Sequence, residues 1–165
     1  NRFYFVHPDG AVQHYDKKHL FTFGGEHKRF TAGTERVVVN FRGVRILLEV
    51  CYDLRFPVWA RNLGDYDMIL YVASWPTPRV DAWSALLRAR AIENQCYVAG
   101  VNRMGVDPAC EYSGGSAIID PYGKTIAECP WSRESAVSAD IDMEALQAFR
   151  KKFPVLDDAD PFTLI

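Results

Sequence analysis

Two continuous apolar runs, residues 67–73 and 96–102, bracket the strongest helical pattern in the chain. The runs Asp-Met-Ile-Leu-Tyr-Val-Ala and Cys-Tyr-Val-Ala-Gly-Val-Asn lack polar alternation, as strands covered on both faces require. Between them, over residues 81–95, Trp83, Leu86, Leu87, Ala91 and Ile92 form an apolar stripe, with Asp81 placed as N-cap. Three hairpin patterns surround this unit. Residues 2–6 and 11–15 flank His7-Pro8-Asp9-Gly10, residues 36–41 and 44–50 flank Arg42-Gly43, and residues 116–119 and 125–128 flank Asp120-Pro121-Tyr122-Gly123. Hairpins mixed with strand–helix–strand units predict a layered α/β fold with a mixed sheet.

The remaining segments read as connections and caps. Residues 16–32 form a polar loop with a short helical turn, and residues 103–115 a loop containing Gly and Pro. Residues 56–63 predict a short helix with Pro57 near its first position and Gly64 past its end. Residues 135–141 predict a last strand, and residues 143–153 a terminal helix stopped by Pro154.

At 165 residues the chain suits one domain with a sizeable core. Its net charge of −2, with both signs mixed, argues against a nucleic-acid or membrane surface. No apolar run is long enough to span a bilayer. Cys51, Cys96, Cys110 and Cys129 are scattered without a CxxC pair, which argues against a zinc ribbon or a dithiol redox site. Three of the four lie in or beside strand-like segments, and reduced thiols of that kind lead us to expect a cytoplasmic protein. The sequence opens within a strand pattern at Asn1-Arg2-Phe3, so residues 1–165 read as the C-terminal portion of a longer chain.

Cys51 is the candidate nucleophile. It ends the run at residues 44–50 and precedes Tyr52-Asp53-Leu54-Arg55-Phe56-Pro57. A thiol at a strand exit, followed by a turn into a helix, has backbone N–H groups pointing into its own space, so a nucleophile and an oxyanion hole can be built together. The competing reading is a small core residue.

Lys17 or Lys18 could lower a thiol pKa and stabilise an oxyanion, and Glu26 could hold such a lysine or act on a water. His19 and His27 raise a cysteine–histidine hydrolase as a rival. Arg55 could fork a substrate carboxylate or pair with Asp53, and Trp75 could wall a pocket or simply pack its loop. Arg88, Arg90, Glu93 and Asn94 crowd one helix and read as a structural network, with Arg90 and Glu93 on one face.

Taken in order along the chain, these pieces resemble the nitrilase superfamily of carbon–nitrogen hydrolases. The resemblance rests on residues 15–21 (Tyr-Asp-Lys-Lys-His-Leu-Phe), on Glu26 seven residues before Gly33, and on residues 50–57 (Val-Cys-Tyr-Asp-Leu-Arg-Phe-Pro). It rests also on residues 88–95 (Arg-Ala-Arg-Ala-Ile-Glu-Asn-Gln) and on the Asp120-Pro121-Tyr122-Gly123 hairpin. The Cys-Tyr-Asp-x-Arg-Phe-Pro stretch and the Tyr-Val-Ala-Ser-Trp-Pro loop are most similar to the ω-amidase branch.

The resemblance implies a four-layer αββα sandwich with mixed sheets, here lacking its N-terminal part, and a Glu-Lys-Cys triad. Cys51 maps to the nucleophile, Lys17 to the triad lysine and Glu26 to a supporting glutamate. Tyr52 would lend its N–H to the oxyanion hole, with Arg55 and Trp75 as substrate-binding residues. The triad's general-base glutamate would lie N-terminal to anything in this sequence.

The implied activity is release of ammonia from a short ω-amide, 2-oxoglutaramate or succinamate, through a thioester. No metal or organic cofactor is implied, and a homodimer or higher homo-oligomer is. An N-carbamoyl amidase, a nitrilase of the same superfamily and a non-catalytic interaction module are the alternatives.

Overall fold

A computed structural model describes residues 1–163. Its centre is a six-stranded mixed sheet built from β3 (Val38–Phe41), β4 (Val44–Val50), β5 (Met68–Ala73), β6 (Tyr97–Asn102), β9 (Ala117–Ile119) and β10 (Thr125–Glu128). The order is β10-β9-β6-β5-β4-β3, with β4–β5 and β5–β6 parallel and the other pairs antiparallel. Two hairpins stand apart, β1 (Arg2–Val6) with β2 (Val12–Asp16), and β7 (Met104–Val106) with β8 (Glu111–Ser113). The chain is α/β with a mixed sheet, as the run of hairpins and the strand–helix–strand unit require.

Each face of the sheet has its own core. Helix α2 (Val80–Glu93) lays Trp83, Leu87 and Ala91 against Leu47, Ile69, Tyr71 and Val98. Gly100 permits this close approach, because a Cβ there would lie 2.6 Å from Leu87 Cδ1 and 2.8 Å from the Trp83 ring. On the other face the β1–β2 hairpin packs Phe3 and Tyr15 against Ile46, Leu48 and Trp59. The row Met68, Leu70 and Val72 is only half-buried there, so β5 is fully covered on the helix face alone.

Helix α3 (Met143–Lys152) starts where the Asp142 side chain accepts from Ala145 N–H at 2.8 Å, and Arg150 ties it to the sheet through Asp67 at 2.9 Å.

Several expectations are corrected. Helix α1 is only Pro57–Ala60, because Arg61 turns to an extended conformation (ψ 129°) and Asn62 bonds across to Asn94. Asp81 is not the N-cap of α2. The helix begins at Val80 with no side-chain cap, and Asp81 lies inside its first turn. Ile92 is half-exposed at 50%, while Arg90 occupies the inward position at 3%.

Residues 103–115 are not a loop throughout, since they form β7 and β8 around an Asp107 turn whose carboxylate accepts from the N–H groups of Ala109 and Cys110. Residues 135–141 form no strand. They are largely exposed and, among the described residues, have no ladder partner.

Candidate active site

The parallel register of β4 and β5 pairs Val50 with Val72, so both strands exit at the same edge of the sheet. Cys51 follows β4 and Ser74-Trp75 follows β5. The Cys51 thiol is directed at the Ser74 carbonyl, 3.8 Å away. Cys51 has φ +49°, a left-handed conformation that a non-glycine residue holds only at a cost of about 1–3 kcal/mol. That twist turns the chain from the strand into a 3-10 turn, Cys51–Arg55, and sets Cys51 in the lining of a cleft of about 870 Å³. Strain of this kind persists where surrounding contacts over-determine it.

Asp53 supplies those contacts. It is fully buried, and its carboxylate accepts from Val50 N–H (3.1 Å), Tyr15 O–H (2.9 Å), His19 N–H (2.8 Å) and His19 Nδ1–H (2.8 Å). One carboxylate thus binds the Cys51 turn to the segment leaving β2. Arg55 has no share in it; its guanidinium lies over the Trp75 ring, 5.0 Å from the centroid. The sequence alternative of an Arg55–Asp53 pair is therefore not what forms.

Lys17, the residue after β2, lines the cleft yet is only 2% exposed. Its Nζ bonds both oxygens of Glu26, at 3.0 and 2.7 Å, and Glu26 also accepts from Phe21 N–H at 2.8 Å. Burial pushes the Glu26 carboxyl up, but the bonds from Lys17 and Phe21 outweigh it and hold the group below the usual carboxylate range. Gly33 clamps Lys17 from behind by donating its N–H to the Lys17 carbonyl at 2.9 Å. A Cβ on Gly33 would lie 2.1 Å from the Asp16 carbonyl oxygen, so only glycine fits there.

For Cys51 itself, burial pushes the thiol above its ordinary value and the Lys17 charge pulls it back. The expected lowering by lysine is present, and desolvation exceeds it in the free protein.

Tyr52 and Trp75 also line the cleft. The Tyr52 ring packs edge-on against Phe21 and Phe56, and its N–H lies in the first turn of a short helix, where N–H groups lack an intrahelical acceptor. Trp75 is held at three points. Its N–H donates to Asn102 Oδ1 (2.7 Å), its carbonyl accepts from Asn102 Nδ2 (3.0 Å), and its indole N–H donates to the Arg79 carbonyl (2.7 Å).

All six residues singled out from sequence therefore face one cleft. The histidines do not. His19 stacks on Phe56 at 3.8 Å and bonds Asp53, and neither His19 nor His27 lines the cleft. Arg90 is structural as expected, bonding Glu93 (2.8 Å) and the Leu54 carbonyl (2.6 Å). Sequence reasoning missed Asp53 as the hub, Asn102 as the clamp on Trp75, and the cleft-lining Arg79. For Asp53, its place in the first turn after Cys51 was a usable cue.

The sequence profile of the carbon–nitrogen hydrolases matches residues 1–151. The chain is 54% identical over 165 residues to the ω-amidase YafV of Escherichia coli K12, covering 99% of this chain and 64% of that protein. It is 40% identical over 161 residues to the 2-oxoglutaramate amidase of Bacillus subtilis, covering 96% and 62%. Among solved structures, XC1258 of Xanthomonas campestris, a CN-hydrolase superfamily protein with an arsenic adduct in its active site, superposes with a TM-score of 0.96 at 49% identity, covering 100% of this chain and 65% of that one. Nit3 of Saccharomyces cerevisiae, a member of the nitrilase superfamily, superposes at 0.84 with 26% identity, covering 94% and 58%. The chain thus spans somewhat less than two thirds of the length of these relatives. With Cys51, Lys17 and Glu26 at one cleft in that shared fold, this chain belongs to the carbon–nitrogen hydrolase family.

Proposed function

We propose that the protein is a cysteine-dependent ω-amidase that releases ammonia from a short amide ending in a carboxylate, 2-oxoglutaramate or succinamate. The observation that carries this reading is the convergence on one cleft at the strand exits of Cys51, a Lys17–Glu26 pair and an Arg55 guanidinium that pairs with no carboxylate among the described residues. The names of the Escherichia coli and Bacillus subtilis relatives support it.

In this reading the Cys51 thiolate attacks the amide carbonyl. Lys17 Nζ and the Tyr52 N–H stabilise the tetrahedral oxyanion, and Glu26 holds Lys17 in place through both of its oxygens. Collapse expels ammonia and leaves a thioester on Cys51. Water then hydrolyses the thioester, regenerating the thiol and releasing the dicarboxylate.

Because Glu26 is committed to Lys17 through both oxygens, it is poorly placed to move the protons. We assign that work to a glutamate outside these 165 residues, as the family resemblance implies. Arg55 receives the substrate carboxylate and Trp75 walls the cleft. Pairing of two copies of the chain belongs to the same reading, and light scattering on the full-length protein tests it.

The test is ammonia release by the full-length protein from 2-oxoglutaramate and succinamate, beside an N-carbamoyl amino acid and a nitrile, with Cys51→Ala as control. Turnover of the ω-amides that vanishes in Cys51→Ala is expected. Turnover confined to the N-carbamoyl compound or the nitrile would overturn the substrate assignment.

A further inference from the structure

Two guanidiniums, not one, line the cleft that holds Cys51. Arg55 comes from the turn after β4, and Arg79 from the 3-10 turn Thr77–Arg79 after β5. Each stands on an aromatic face, Arg55 5.0 Å from the Trp75 centroid and Arg79 5.5 Å from the Phe21 centroid. The Arg79 backbone is pinned through its carbonyl to the Trp75 indole N–H.

Among the described residues neither Arg55 nor Arg79 pairs with a carboxylate, whereas Arg36, Arg45, Arg90 and Arg150 each do. Glu26, the carboxylate on the cleft wall, is taken by Lys17. A guanidinium stacked on a ring keeps its planar fork free for an incoming carboxylate and loses little freedom in binding it.

We infer that Arg79 is a specificity-determining residue that joins Arg55 in receiving the carboxylate end of the substrate. The inference rests on the reading of Cys51 as nucleophile. Two forks arriving from adjacent strand exits make the cleft selective for amides with an anionic tail and poor for neutral amides of equal length. The aromatics Phe21 and Trp75 then do double work, walling the cleft and holding the cations in place.

The experiment separates charge recognition from chemistry. Iodoacetate and iodoacetamide carry the same methylene and the same leaving iodide, and differ in one negative charge. In each case the Cys51 thiolate displaces iodide and forms a sulfur–carbon bond. The rates are read at Cys51 by peptide mass spectrometry on the full-length protein, so that reaction at Cys110, which also lines the cleft, is counted separately.

Arg79→Gln is expected to slow iodoacetate by about tenfold, the loss of one charge-assisted hydrogen bond, and to change iodoacetamide by less than about twofold. Arg79→Lys should recover part of the iodoacetate rate, because the charge returns without the fork. In turnover the same variant should raise KM for the ω-amide more than it lowers kcat. Equal slowing with both reagents, or no slowing with either, would overturn the role of Arg79 while leaving Cys51 as nucleophile. Failure of wild-type Cys51 to react with either reagent would sink the nucleophile reading and the Arg79 role with it.

Discussion

Lys17 shows how much one residue carries. It is an ammonium held almost out of water, bonded to both oxygens of Glu26 and set beside the thiol it is to serve. Lys17→Met keeps most of the volume and removes the charge. It should lower kcat/KM by about 10²–10³-fold, the usual loss for one oxyanion donor, and should slow alkylation of Cys51 at neutral pH. An unchanged rate would remove Lys17 from the mechanism.

Glu49 makes a second prediction at this scale. It is wholly buried, and among the described residues neither of its oxygens has a hydrogen-bond partner, nor has the hydroxyl of Tyr71, opposite it on β5. Burial, reinforced by the charge of Asp53, pushes the Glu49 carboxyl well above its ordinary value of 4.5. The native state therefore keeps a proton that the unfolded state gives up, so stability falls as pH rises above the ordinary carboxyl range. Glu49→Gln should stabilise the protein at pH 7 by about 1–3 kcal/mol and bring little gain near pH 4, as thermal denaturation at the two values will show. A gain independent of pH would contradict this account of Glu49.

The contiguous part of the site was legible, because Cys51, Tyr52 and Arg55 sit on one turn. Asn102, 27 residues from the Trp75 it holds, was not, since a contact at that range leaves no local pattern.

At the scale of elements, the exits of β4 and β5 build the site and the neighbouring segments hold it still. Asn102 ends β6 and bridges the Trp75 loop to Gly114, whose carbonyl accepts from Nδ2 at 2.7 Å. Asn102→Ala leaves the Trp75 N–H and two carbonyls without these partners. It should cost about 2–3 kcal/mol of stability and raise KM for the ω-amide, measured by denaturant unfolding and steady-state kinetics. Unchanged stability would show the loop to be held otherwise.

The longest patterns read true, including all three hairpins, β5, β6, α2 and α3. The misreadings have physical causes. The inward face of α2 runs through Trp83, Leu87, Arg90 and Ala91, and Arg90 can lie inward because the Leu54 carbonyl and Glu93 receive its charge. Residues 135–141, expected as a strand, have no neighbour to complete a ladder among the described residues. The short β7–β8 pair depends on the Asp107 side chain closing its turn, and Asp107-Pro108 was the cue for it.

For the whole molecule, the sheet has one face sealed by α2 and another shared by the β1–β2 hairpin and the half-buried row of β5. The hairpin gives the site its geometry, because it carries Lys17 to the edge where Cys51 emerges, and the Tyr15–Asp53 bond fixes the two together. The chain spans 64% of the length of its Escherichia coli relative, and the family profile runs through residues 1–151, so these elements form the larger part of that shared fold.

The central claim is that Cys51 carries the acyl group. Acid-quenching the full-length protein during turnover of succinamate and weighing it intact tests this directly. A succinyl adduct on Cys51 is expected, one that hydroxylamine removes and that Cys51→Ala never forms. Turnover of succinamate with no adduct, or an adduct on another residue, would contradict it.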